Sequence, residues 1–368
     1  MSLPEEKIES ARAEFSPARG FLRVGIAVVA FVLACAVLNR FLPFPEIDFV
    51  SAELRFFRQH QDEFDTVLIG SSRIHHGISP AIFDGIMREA GLPTHTFNFG
   101  VSGMFPPEVG YVLERLLNTR PRHLKWVFIE LDELETGIPI TEASRRALYW
   151  HDWKRTSLVL QEILDTISPG EGLSFSRKIG EVLIPGPGKS DARDRFFFHS
   201  GLFAKNFTNI GRKIDLTWWS SHIGKKIALP KGLGPGFDGY IPQLKTMSAV
   251  EVATYEAGLE RAAVQAEFAF VSASTEQAYR QWADEVRKAG ATPIFLVPPR
   301  TAQVKFGFRP ESGLADKVML FNDAKAYPQL YLSEVRFDSD HLNGTGAEEF
   351  TRLVARKFSQ LIQEKQIQ

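Results

Sequence analysis

The residue types that together perform acyl transfer occur in this 368-residue chain at two distant places. Near the start, "DTVLIGSSRIHHG" (65–77) runs an apolar stretch into Gly70, Ser71 and Ser72, with Arg73, His75 and His76 directly behind. Near the end, "RFDSDHLNGTGAEEFTRLVARKF" (336–358) sets Asp338 and His341 three apart. They stand just before a segment whose Phe350, Leu353, Val354 and Phe358 recur at helical spacing. A serine hydroxyl is almost inert at neutral pH. It becomes a nucleophile when an imidazole takes its proton and a carboxylate fixes that imidazole's tautomer. One of the two serines, with His341 and Asp338, supplies those parts if folding joins the two ends of the chain. Asp340 reads as a solvated neighbour and is the competing carboxylate. Adjacent side chains diverge and no H-E-x-x-H or Cys pair accompanies them, so His75 and His76 are expected to line the site entrance and not to hold a metal.

The elements that must position these groups read as an α/β domain with a mostly parallel sheet. Strand candidates are "TVLIG" (66–70), "THTFNFG" (94–100), "KWVFIELD" (125–132) and "TPIFLVPP" (292–299). Ser79 and Pro80 mark a helix start that Gly91 closes, and "PPEVGYVLERLLNT" is the next crossover helix. Helical pattern returns in "VEVATYEAGLERAAVQAEFAF" and "STEQAYRQWADEVRKAG". Between about 137 and 243 the alternation stops. Four of the six tryptophans, Trp150, Trp153, Trp218 and Trp219, fall there, which reads as an irregular insertion or lid over the sheet. Its aromatics, including Phe196 to Phe198, read as core or membrane-facing packing before a sugar platform. The turn in "FNFGVSGMFPPE" (97–108) can aim backbone N–H groups at the mouth of the sheet, where an oxyanion would need donors.

The segments "IGSSR", "NFGVSG" and "DSDHLN..G" resemble the SGNH/GDSL hydrolase superfamily, and within it a membrane-anchored, acyltransferase-associated branch. The resemblance covers Asp65 to about Leu134 and Pro293 to Lys357 and leaves the insertion unmatched. It implies an SGNH-type three-layer α/β/α sandwich without cofactor or metal. It assigns the nucleophile to Ser72, with Ser71 where an aspartate is usual, and the remaining triad to His341 and Asp338. The oxyanion donors would be the amides of Ser72 and Gly103. The family's third donor, an asparagine, has no counterpart: "ELDELETG" puts Leu134 nearest that place, and Arg73 or Asn98 stands as a substitute.

The longest apolar run is "FLRVGIAVVAFVLACAVLNRFLPF" (21–44), uncharged from Val24 through Leu38 and flanked by Arg23 and Arg40. About 20 apolar residues cross a bilayer, so a span over 21–42 suffices if the two arginines snorkel. No small-x-small cleavage site follows, so it reads as an uncleaved anchor. Lys7, Arg12, Arg19 and Arg23 precede it and imply a cytoplasmic tail (1–20), a single pass through the cytoplasmic membrane, and a periplasmic or extracellular domain over 43–368. The lone Cys35 excludes an intrachain disulfide, and a net charge of -1 excludes a basic field for nucleic acid.

Together these readings predict a membrane-anchored extracytoplasmic O-acyltransferase. The resemblance implies O-acetyl transfer to an exported polysaccharide, with a multi-pass membrane O-acyltransferase as the acyl-supplying partner. An SGNH-type esterase or deacetylase and a non-catalytic assembly subunit are the alternatives, because a Ser-His-Asp set does not specify the acceptor. The anchor favours transfer, since tethering raises the effective concentration toward a membrane-bound supplier.

Overall fold

The structure is a computed structural model and describes residues 17–41, 47–138, 145–167, 175–184, 190–208, 237–264, 268–302 and 305–364. The strands within them are β1 (Thr66–Gly70), β2 (Thr96–Gly100), β3 (Trp126–Glu130), β4 (Phe268–Phe270), β5 (Thr292–Val297), β6 (Lys305–Gly307) and β7 (Val318–Leu320). Five form one parallel sheet in the order β2-β1-β3-β5-β7. Strands of a parallel sheet are covered on both faces and so read as nearly continuous apolar runs, which "TVLIG" and "TPIFLV" are.

Alternate residues of each strand enter opposite cores. Val67, Ile69, Phe97, Phe99, Val127, Ile129, Phe295 and Val297 face one core. Helices α2 (Asp48–His60), α5 (Pro106–Leu117) and α11 (Ala273–Lys288) cover it with Phe57, Leu113 and Trp282 among others. Leu68, Phe128, Ile294, Leu296 and Met319 face the other, under α4 (Pro80–Glu89) and α12 (Gly344–Gln363), which contribute Phe83, Met87, Phe350, Val354 and Phe358. The chain leaves β1 toward β2 on one side and then returns to β3 on the other. This reversal opens a crevice at the carboxyl ends of β1 and β3, where α/β sheets place their sites.

All four predicted strands are present, β1 with the predicted bounds and β2, β3 and β5 shorter than expected. β7 and the short β4–β6 pair were not legible, being three residues each and without alternation to mark them. The helix expected over 250–270 ends as α10 (Ala249–Val264), and Phe268–Phe270 is strand. Ser79 precedes α4, but its hydroxyl makes no capping bond; its amide donates to Thr351 Oγ1 at 3.0 Å and ties α4 to α12.

The region expected to be irregular is largely helical between 145 and 208, in α6 (Arg145–Tyr149), α7 (Trp153–Ile167), α8 (Phe175–Leu183) and α9 (Ser190–Thr208), and irregular over 237–243. Val159, Ile163, Leu164, Val182 and Ala192 form a small core of their own. Phe196 and Phe198 pack inward, while Phe197 and Trp153 are exposed. Trp218, Trp219, the loops around 185–188 and 229–236 and the tail with Lys7 and Arg12 lie outside the described residues, as do 42–46.

Helix α1 (Pro17–Phe41) is long and apolar enough to cross a membrane, and its apolar side chains are largely exposed. It meets α9 where Asn39 Nδ2 donates to the Phe207 carbonyl at 2.7 Å.

Candidate active site

Helix α3 (Ser72–His75) starts directly after β1, so the strand's end and the first helical turn share the Gly-Ser-Ser triplet. Ser71 caps this helix, accepting the Arg73 amide on its hydroxyl at 3.2 Å. Its own amide and hydroxyl donate to the Glu130 carboxylate at 2.5 and 3.1 Å. Ser71 is buried and its hydroxyl is committed, whereas Ser72 is half-buried and meets His341. Gly70 is required by the same carboxylate: a Cβ there would stand 2.5 Å from Glu130 Oε2. The triplet is therefore more than turn punctuation, since each residue has a separate task.

His341 Nε2 lies 2.6 Å from Ser72 Oγ, across 269 positions of chain. Its Nδ1 lies 2.8 and 2.9 Å from the two Asp338 oxygens. A proton on Nδ1 donates to the carboxylate and leaves the Nε2 lone pair facing the serine hydroxyl, the tautomer a general base needs. Asp338 Oδ1 also accepts the amides of Asp340 and His341, both at 2.8 Å. Burial pushes this carboxyl up, but the bonds from His341 and the two amides outweigh it and hold its pKa below the usual aspartate value. Asp340 bonds through its amide and not its carboxylate to the triad, so Asp338 is the orienting carboxylate.

The loop carrying Asp338 and His341 is closed by an antiparallel bridge between Arg336 and Leu342 and by Phe337 N donating to His341 O at 2.9 Å. Arg336 is fully buried, donates to Leu330 O and Ser339 O, and lies over the rings of Tyr255 and Tyr331. Asn343 then caps α12 by accepting the Gly346 amide. The imidazole is thus held by a short loop pinned at both ends.

Beneath the serine lies a charged network with no local sequence signal. Arg73 Nε donates to Glu130 Oε1 at 2.7 Å and Arg73 Nη2 to Asp132 Oδ2 at 2.8 Å. Arg300 donates to both Asp132 oxygens at 3.0 and 2.8 Å. Burial would raise the Asp132 carboxyl, but Arg300 and Arg73 reverse the direction and lower it. Burial likewise opposes the Arg73 charge, yet Glu130 and Asp132 more than compensate and raise its pKa. Glu130 ends β3, Asp132 follows it by two residues and Arg300 follows β5, so the carboxyl ends of three neighbouring strands meet under Ser72.

Gly103 sits in an exposed turn, Val101 to Met104, with φ +70°. Among the described residues its amide and that of Ser72 donate to no acceptor. The turn adjoins the site, since Val101 N donates to Gly70 O at 2.9 Å and Ser102 Oγ lies 3.2 Å from His76 Nε2. His76 is half-buried with Nδ1 bonded to Ile241 O, which leaves Nε2 to accept the Ser102 hydroxyl. Burial lowers its pKa.

Two of the expected site-lining roles are corrected. His75 is 4% exposed, with no hydrogen-bond partner for either ring nitrogen among the described residues, so it does not line the entrance. It stacks on His76 and packs on Phe49, and burial with the adjacent His76 pushes its pKa down to about 3. Asn98 is fully buried and gives both amide protons to Ile74 O and Ile78 O, while its oxygen accepts the Gly100 amide; no donor remains for a substrate. Arg73 is the partial exception. Its Nε and Nη2 serve the network, while Nη1 makes no hydrogen bond among the described residues. Leu134 is buried in the core beside Thr275, whose hydroxyl accepts its amide.

The arrangement as a whole brings a hydroxyl, an imidazole and a carboxylate into one hydrogen-bonded line, beside two amides without an acceptor among the described residues, and such a set can activate the hydroxyl as a nucleophile. Comparison of the chain with protein-family models and with curated proteins gives no match.

Proposed function

We propose that this protein is a membrane-anchored, serine-dependent O-acyltransferase of SGNH type, with its α/β domain outside the cytoplasmic membrane. The observation that carries the reading is the 2.6 Å contact between Ser72 Oγ and His341 Nε2, backed by Asp338 on Nδ1. In this reading the sheet and its two helical layers are the three-layer sandwich of that superfamily, and about 137–243 is the insertion.

Ser72 Oγ attacks an acyl carbonyl while its proton passes to His341 Nε2. The carbonyl oxygen becomes an oxyanion facing the amides of Ser72 and Gly103. Collapse breaks the bond to the leaving alkoxide, which takes the proton from His341, and an acyl-serine remains. A second hydroxyl then gives its proton to His341, attacks the acyl-serine and leaves as the new ester, restoring Ser72. Asp338 keeps the imidazole in one tautomer throughout and stabilises the transient imidazolium.

A single apolar helix tethering this site near the bilayer favours a membrane-delivered acyl donor and a polymer hydroxyl as acceptor. The chemistry is that of acetyl transfer to an exported polysaccharide, with a multi-pass membrane acyltransferase as supplier. The test uses the full chain in detergent micelles with an aryl acetate donor and a neutral oligosaccharide acceptor, read by mass spectrometry. Acetylated oligosaccharide that disappears in Ser72→Ala supports transfer. Release of acetate alone, also lost in Ser72→Ala, replaces this reading with an esterase. Neither product, together with intact polymer acylation in cells carrying Ser72→Ala, makes the protein a non-catalytic subunit.

A further inference from the structure

The turn bearing Gly103 has two possible faces, and one side chain from outside the sheet chooses between them. Met104 N donates to Val101 O at 3.0 Å, so Val101 to Met104 is a hydrogen-bonded β-turn with Ser102 and Gly103 at its centre. Gly103 has φ +70° and Ser102 has no positive φ, which together define a type II turn. Types I and II differ mainly by inversion of the central peptide, here the one joining Ser102 to Gly103. In a trans peptide the C=O and the N–H point in opposite directions. Whatever holds the Ser102 carbonyl therefore aims the Gly103 amide the other way.

That holder is Arg146 of α6, whose Nη1 donates to Ser102 O at 2.7 Å. The guanidinium is itself fixed by a fork to Glu108, Nε to Oε1 at 2.8 Å and Nη2 to Oε2 at 3.1 Å. Glu108 is 3% exposed, stands in the first turn of α5 directly after the loop, and also takes the Tyr149 hydroxyl. Burial raises the Glu108 carboxyl, and Arg146 and Tyr149 act against that rise.

We propose that Arg146 is a positioning residue that locks the Ser102–Gly103 peptide with its N–H turned to the oxyanion. The inference rests on the acyl-transfer reading of Ser72. It gives the region after β3 a task in the chemistry, beyond covering the sheet. The task matters more here because Leu134 stands where a third donor is expected, which leaves the amides as the principal donors.

The test compares wild type, Arg146→Met, Arg146→Lys, Gly103→Ala and the double variant Arg146→Met with Gly103→Ala. Among the described residues a Cβ at Gly103 meets only Arg146 Nη1, at 4.0 Å, so alanine fits there and acts through its reluctance to hold a positive φ. Crystal structures report the peptide orientation, and Ser72 acylation by an aryl acetate reports the chemistry. Arg146→Met is expected to invert the peptide and lower the maximal acylation rate about 10²-fold with KM held within about twofold, the signature of a lost transition-state contact. Arg146→Lys, which keeps one donor, is expected to restore part of the rate. The double variant should be no slower than the slower single one, since both changes cause the same inversion. An uninverted peptide in Arg146→Met, or losses that multiply in the double variant, overturns the inference. A folded wild type that forms no Ser72 adduct overturns the proposed function and the catalytic half of this inference, while the peptide orientation still decides the structural half.

Discussion

Glu130 is the residue on which the geometry of the nucleophile turn depends most, and its removal has a calculable consequence. The carboxylate is 4% exposed and takes three hydrogen bonds: the Ser71 amide at 2.5 Å, the Ser71 hydroxyl at 3.1 Å and Arg73 Nε at 2.7 Å. Glu130→Ala leaves a buried amide without an acceptor and removes one of the two anions beside Arg73. Breaking a buried ion pair from one side costs about 3–5 kcal/mol. Arg73 keeps Asp132 at 2.8 Å, so the lower end, about 3 kcal/mol, is expected. Glu130→Gln keeps the shape and one acceptor but turns an N–H toward a donor, and loss of the charge-assisted bonds costs about 1.5–3 kcal/mol. Urea unfolding of the full chain in micelles measures both. The same series with Arg73→Ala completes a double-mutant cycle. If stranded charge is the main cost, the double variant is less destabilised than the sum of the singles, by about 1–3 kcal/mol. A Glu130→Ala cost below about 1 kcal/mol, or strict additivity with Arg73→Ala, would refute the role given to this network.

Asp338→Asn keeps the loop but offers His341 the wrong partner for its Nδ1 proton, so Ser72 acylation should fall by about 10³–10⁴-fold; an unchanged rate removes Asp338 from the mechanism. Gly70→Ala forces a Cβ to within 2.5 Å of Glu130 Oε2 and Ile74 Cγ1, and urea melts should show a loss of about 1–3 kcal/mol, whereas an unchanged midpoint contradicts the packing described. Acid sensitivity should come from His75 and His151, whose pKa values burial lowers to about 3, and from His199, lowered to about 4. Unfolded imidazoles take protons near 6.5, so the stability of the neutral buried forms is complete above that pH and is lost as pH falls toward 4, by at most roughly 4 kcal/mol per pH unit. Equal urea midpoints at pH 7.5 and pH 5 (chosen as roughly one unit or more to either side of that value) contradict this.

That one of the two serines could join His341 and Asp338 was legible from their residue types beside strand and helix signals, while the choice of Ser72 came from the family resemblance; in the structure Ser72 is the serine that meets His341. The four longer strands were legible because a parallel sheet buried on both faces leaves apolar runs such as "TVLIG". Glu130 and Asp132 were not, since an acidic residue at a strand's end reads as its solvated terminus, and only tertiary contact with Ser71 and Arg73 shows otherwise. Arg146 and Glu108 were hidden for the same reason: their partners lie 44 and 38 positions away, in no local pattern. The helices of 145–208 were missed because the intervening loops interrupt their period, although Leu160, Ile163 and Leu164 carry helical spacing within α7. His75 and Asn98 show the opposite error, in which polar residues near a motif were given to the solvent side although their backbone directs them inward.

The most direct measurement treats the full chain in micelles with an activated acyl ester and locates the modified residue by peptide mass spectrometry. The account predicts one acyl group on Ser72, absent in Ser72→Ala, retained in Ser71→Ala and strongly slowed in His341→Ala. An acyl group found on Ser71 or on another side chain, or an unmodified Ser72 in a folded protein, would contradict it.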